Sequence, residues 1–140
     1  MSTTGLLLSD DLLFISRIVG TARDLDLRVT AVRTATELLN RARNEPPACV
    51  IVDLANPNLK ITELVDTLKE SPIDPPRVVA YGSHVDVATL RAAREAGCDV
   101  VLPRSKFVEE LPSALPEWFR IRADQESTCS PTTNVPPPSD

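Results

Sequence analysis

Three aspartates directly follow apolar runs. Asp10 and Asp11 come after Leu6, Leu7, Leu8 and Ser9, and Asp53 closes the run Cys49, Val50, Ile51 and Val52. Carboxylates gathered at one point repel one another and raise one another's pKa unless a hard cation such as Mg²⁺ neutralises them. The chemistry such a set offers is a divalent-ion pocket. A plainer reading stands beside it: Asp10 and Asp11 cap the helix that follows, where acids interact well with the macrodipole, and Asp53 opens a solvated loop. For any one aspartate alone the plainer reading is better. Together, at the ends of two strands, the three favour the cation pocket.

That pocket needs elements to position it, and the chain supplies them in alternation. The apolar run Leu6–Leu8 stops at Ser9, and Leu13, Ile15, Ile18, Val19 and Ala22 then recur at helical spacing. Residues Leu27–Val32 alternate apolar and polar as a strand does. Thr34 with Glu37 forms a capping-box start for a helix carrying Leu38, Leu39 and Ala42. After the break at Pro46 and Pro47, Cys49–Val52 is short and wholly apolar, as a strand buried on both faces of a parallel sheet must be. The same unit recurs as helix Ile61–Lys69, strand Arg77–Tyr81, and helix Val85–Ala96 ended by Gly97. A fifth strand spans Asp99–Leu102, and a last helix begins near Lys106, with Pro112 and Pro116 predicting that it is short or kinked. Alternation with short connections implies an α/β, flavodoxin-like, doubly wound five-stranded parallel sheet with helices on both faces. In such a sheet the ligand site lies at the carboxyl ends of the strands, where the three aspartates fall.

Composition narrows the function classes. A chain of 140 residues suits one domain, expected over residues 1–122, with a disordered tail over 123–140. The tail has four prolines and almost no large apolar side chain to repay its ordering. All 15 Lys and Arg lie in the first 122 residues against 17 acids, so the body is nearly neutral and lacks the basic footprint of a nucleic-acid binder. No apolar run nears the roughly 20 residues of a membrane span. The first residues carry no basic secretory n-region, and a cytoplasmic place is expected. Cys49, Cys98 and Cys129 have no metal-ligand spacing. The only histidine, His84, reads as a surface residue, and Tyr81 and Trp118 read as packing residues.

Leu6 through Asp11, Val50 through Asp53 followed by Pro57, and Glu95 through Asp99 with Val108 to Leu111 resemble receiver-domain motifs of bacterial two-component signalling. The resemblance spans about residues 5–119 and implies a CheY-like fold. It also implies that Asp10, Asp11, Asp53 and the backbone carbonyl of Ala55 hold Mg²⁺, and that Asp53 accepts a phosphoryl group from a histidine kinase or phosphotransfer protein. The role is chemically sound, because phosphoryl transfer to a carboxylate depends mostly on positioning and charge neutralisation. The output implied is a protein contact through the face from the fourth strand to the fifth helix. No enzyme activity and no DNA or membrane partner is expected.

Three positions depart from the family pattern. Gly82 stands where a Thr or Ser binds the phosphoryl oxygen, and the neighbouring Ser83 is better read as opening a capping box with Asp86. Arg104 replaces a lysine, a planar guanidinium in place of a compact ammonium, and the simplest role for it is to neutralise Asp53 or another acid. Val101 replaces the aromatic switch residue and has no ring to rotate. Two readings follow: a phosphorylatable single-domain response regulator, or a pseudo-receiver that binds its partner without phosphorylation. A flavin carrier on the same fold is the third class, but Ser9, Asp10 and Asp11 would repel a phosphate where that class needs a phosphate loop.

Overall fold

The computed structural model describes residues 4–70 and 75–127, with side chains as far as Phe119. Five strands, β1 (Thr4–Leu8), β2 (Arg28–Val32), β3 (Cys49–Asp53), β4 (Arg77–Gly82) and β5 (Val100–Pro103), form one parallel sheet in the order β2-β1-β3-β4-β5. The helices are α1 (Leu12–Asp24), α2 (Ala35–Asn44), α3 (Ile61–Leu68), α4 (Val87–Ala96) and α5 (Arg104–Ser127). This is the expected flavodoxin-like architecture.

Strand alternation divides the core into two layers. Leu7, Ile51, Val79 and Tyr81 point to the layer under α1 and α5, where Ile18, Phe107, Leu111 and Leu115 are buried. Leu8, Val50, Val52 and Ala80 point to the layer under α2, α3 and α4, against Leu38, Leu64 and Leu90. Burial of β3 on both faces explains why its sequence shows no polar alternation until Asp53. Thr34 caps α2 by accepting from the Glu37 N–H, and Gly97 ends α4 in the left-handed region at φ 105°.

The structure corrects two element boundaries. Helix α4 starts at Val87, because Asp86 takes the cap position and accepts from Thr89 N. Ser83 is left in the preceding turn, its hydroxyl accepting from Val85 N at 3.3 Å, so it does not open the helix. Helix α5 runs for 24 residues through both prolines and is not short. Its stripe of Phe107, Leu111, Leu115, Trp118 and Phe119 is buried. At about 2 kcal/mol per side chain that stripe outweighs about 3 kcal/mol per interior proline. Pro112 lies on the exposed side, where the carbonyls freed by the missing N–H groups can meet water. Helix α5 also passes residue 122, and of the expected tail the residues beyond 127 lie outside those described. Among the described residues no helix is long and apolar enough to cross a membrane.

Candidate functional site

The register of the sheet builds the site. Leu8 pairs with Val52, and Asp53 pairs with Tyr81. Ser9, one residue past Leu8, therefore comes level with Asp53, and the period-two rule sends Ser9, Asp53 and Tyr81 to the same face, that of α1 and α5. The result is a row of three polar side chains across the carboxyl edge of β1, β3 and β4. All three are buried, Asp53 to 3% exposure.

Hydrogen bonds close this row. Ser9 Oγ donates to Asp53 Oδ2 at 2.9 Å, and Ala55 N donates to Asp53 Oδ1 at 2.9 Å. Ser9 Oγ also accepts from Asp11 N at 3.1 Å. The Tyr81 hydroxyl is buried without a hydrogen bond among the described atoms. Burial pushes the Tyr81 phenol well above its ordinary pKa; the Asp53 charge adds to the rise, and the Ser9 hydroxyl opposes it. The tyrosine ring stacks on Phe14 at 5.2 Å and on Phe107 at 4.5 Å, and Phe107 stacks on Trp118 at 5.7 Å. Tyr81 and Trp118 are thus packing residues, as their sequence context suggests, but the Tyr81 hydroxyl also reaches the site.

The remaining predicted site residues divide. Asp11 caps α1: its Oδ1 accepts from Leu13 N at 3.1 Å and Phe14 N at 3.2 Å. Asp10, beside it, is exposed. Ala55 is exposed, and its N–H already serves Asp53. Among the described residues no group of three or more His, Cys, Asp or Glu side chains is placed to hold a metal ion. Asp11 is thus turned to the helix, and both Asp53 oxygens accept from protein donors.

The strand-four and strand-five positions are filled by packing. A Cβ on Gly82 would stand 3.3 Å from Leu54 Cβ and Cδ1, so a side chain there would need Leu54 to give by a few tenths of an ångström. Val101 is half-buried against the layer under α2, α3 and α4. Arg104 forms no ion pair with Asp53 among the described residues. The guanidinium instead lies 5.5 Å from the Phe14 ring centroid, and its Nε is buried without a partner. It lines an open cleft of about 560 Å³ with Ser83, His84 and Ser105. His84 and Lys60 are exposed. Ser9 and Tyr81 are the site residues that motif matching misses: alternation on from Leu7 and Val79 gives the face of each, and strand register brings both beside Asp53.

Neither the family models nor the curated proteins include a match to this chain. Solved structures do match. A response regulator receiver domain from Bermanella marisrubri is 19% identical with a TM-score of 0.73, covering 84% of this chain and 98% of its own. The chemotaxis response regulator CheY4 of Vibrio cholerae is 16% identical with a TM-score of 0.69, covering 84% and 99%. The BeF3-activated DrrB receiver domain is 20% identical with a TM-score of 0.69, covering 84% and 97%. At these identities the likeness establishes a divergent receiver fold.

Proposed function

We propose, with the receiver fold as premise, that this chain is a signalling receiver of a two-component phosphorelay whose output is a protein contact, with Asp53 as its phosphoacceptor. The observation that carries this reading is the burial of Asp53 at the carboxyl edge of β3 with two neutral hydrogen-bond donors and no described ion pair. A buried carboxylate without a counter-charge is costly to keep for architecture alone. In the reaction an Asp53 oxygen forms a bond to phosphorus as the bond from phosphorus to the donor histidine nitrogen breaks, and the nitrogen keeps the electron pair. A histidine kinase or phosphotransfer protein is the proposed donor, and the cytoplasm is the proposed location. The proposed Mg²⁺ ligands are Asp10, Asp11, Asp53 and the Ala55 carbonyl, a set that requires Asp11 to leave its cap on α1. The downstream partner is proposed to dock on the β4–α5 face, where Val85 and Val87 are exposed at the start of α4. No catalytic turnover is proposed beyond self-phosphorylation.

A second reading, a pseudo-receiver that binds its partner on that face constitutively, is favoured by Gly82, which carries no hydroxyl and packs closely on Leu54. Incubation with acetyl phosphate and Mg²⁺, followed by intact mass, separates the two. Under the first reading the wild type gains one phosphoryl group and Asp53→Ala does not. A wild type that binds Mg²⁺ yet gains no adduct rejects self-catalysed phosphorylation and leaves the pseudo-receiver.

A further inference from the structure

We propose that Ser9 is a latch on Asp53, a positioning residue whose hydroxyl holds the carboxylate closed at rest and turns to Tyr81 when Asp53 is occupied; the inference rests on the phosphoacceptor reading. A serine hydroxyl has one proton and two lone pairs. The Ser9 proton goes to Asp53 Oδ2, since a carboxylate can only accept, and one lone pair takes the Asp11 N–H. The second lone pair is left for the Tyr81 hydroxyl, which makes no hydrogen bond among the described atoms yet lies near enough to Ser9 for the serine hydroxyl to act on its ionisation. The row is therefore one small movement from a Tyr81-to-Ser9-to-Asp53 chain.

Occupation of Asp53 reverses the preference. Once Oδ2 is bonded to phosphorus it is no longer an anionic acceptor, and the Ser9 proton loses its carboxylate partner. The Tyr81 oxygen is the protein acceptor next in the row, and the hydroxyl turns toward β4. Ser9 also holds the Asp11 N–H, and Asp11 caps α1, so the turn is felt at the start of that helix. Gly82 supplies no hydroxyl to report on Asp53, and the row places one below it, on β1.

The test uses the full chain as wild type, Ser9→Ala, Asp53→Ala and the double variant, with acetyl phosphate and Mg²⁺. An Asp53 oxygen bonds to phosphorus as the bond from phosphorus to the acetate oxygen breaks, and acetate leaves with the electron pair. Loss of a hydrogen bond to a charged acceptor leads us to expect labelling roughly tenfold faster in Ser9→Ala, abolished in the double variant. Labelling of Ser9→Ala at or below the wild-type rate, with its unfolding midpoint preserved, overturns the latch. The second readout is the Raman doublet of the chain's one tyrosine, which reports the hydrogen bonding of its hydroxyl. Ser9→Ala is expected to shift the doublet, as is beryllofluoride with Mg²⁺ on the wild type. An unchanged doublet in both overturns the latch, whether or not Ser9→Ala labels. If no protein labels while the doublet shifts in Ser9→Ala, the phosphoacceptor reading falls and the Ser9 contact stands.

Discussion

Two aspartates at opposite edges of the sheet are satisfied in opposite ways. Asp99, leading into β5, accepts from Lys69 Nζ at 2.6 Å and from Val78 N at 2.7 Å, and Lys69 also bonds the Pro76 carbonyl. Burial would raise its carboxyl pKa, but the Lys69 ammonium and the Val78 N–H outweigh burial and hold it below the ordinary range. Asp53, at the far end of β3, accepts only from a hydroxyl and an amide. The first arrangement ties α3 to β4 and β5 with charge, amide and carbonyl all matched. The second leaves a negative charge buried with no cation in a described ion pair. Matched charge serves architecture, and the unmatched charge is what the proposed phosphoacceptor role draws on.

The largest expected effect is at the matched site. Asp99→Ala should lower unfolding stability by about 1.5 kcal/mol, the value of hydrogen bonds to a charged group reduced because the pair is partly exposed. Urea unfolding followed by Trp118 fluorescence measures it. Because the Asp99 carboxyl is held down in the folded state, its contribution is present above an ordinary carboxyl pKa of about 4 and is lost as pH falls through the lower folded value. The stability gap between wild type and Asp99→Ala should therefore narrow on acidification to about pH 2.5. A gap that stays constant would mean that the carboxylate is not what Lys69 and Val78 hold.

Asp11 tests whether the carboxylates of the loop edge also serve architecture. As the cap of α1 it should cost about 1 kcal/mol when replaced by alanine, and Asp11→Asn should recover most of that. Loss of cation binding without loss of stability would instead make Asp11 a ligand first. The smallest effect is expected at Asp53. Asp53→Asn removes the unmatched charge and keeps an acceptor, so stability should stay within about 0.5 kcal/mol of wild type or rise. A drop as large as that of Asp99→Ala would erase the distinction between the two aspartates.

Much of the fold is legible in the sequence because its signals are local. The alternation of apolar runs with helical spacing, the Thr34 cap and the Gly97 stop each depend on a few neighbouring residues, and each appears where expected. The length of α5 is not legible, since Pro112 and Pro116 speak locally against a helix that burial of Phe107, Leu115 and Trp118 sustains from a distance. At the site, the sequence places Asp53 at a strand end but leaves two roles open for Asp11, and the structure shows the cap. The partners of Asp53 come from strand register, which no single segment encodes. Arg104 shows the same limit: its charge suggests an acid as partner, and packing sets it over Phe14.

Gly5 is close to the start of β1, and there a methyl group would fall 2.5 Å from Phe119 Cζ, so backbone and ring meet at that edge of the sheet. By Phe119, α5 has run from Arg104, which stands at the pocket edge, to the start of β1. Thr4 and Phe119 thus share the pole opposite Asp53. Tethering the chain to a surface from either side of that pole would leave the Asp53 mouth turned toward solution.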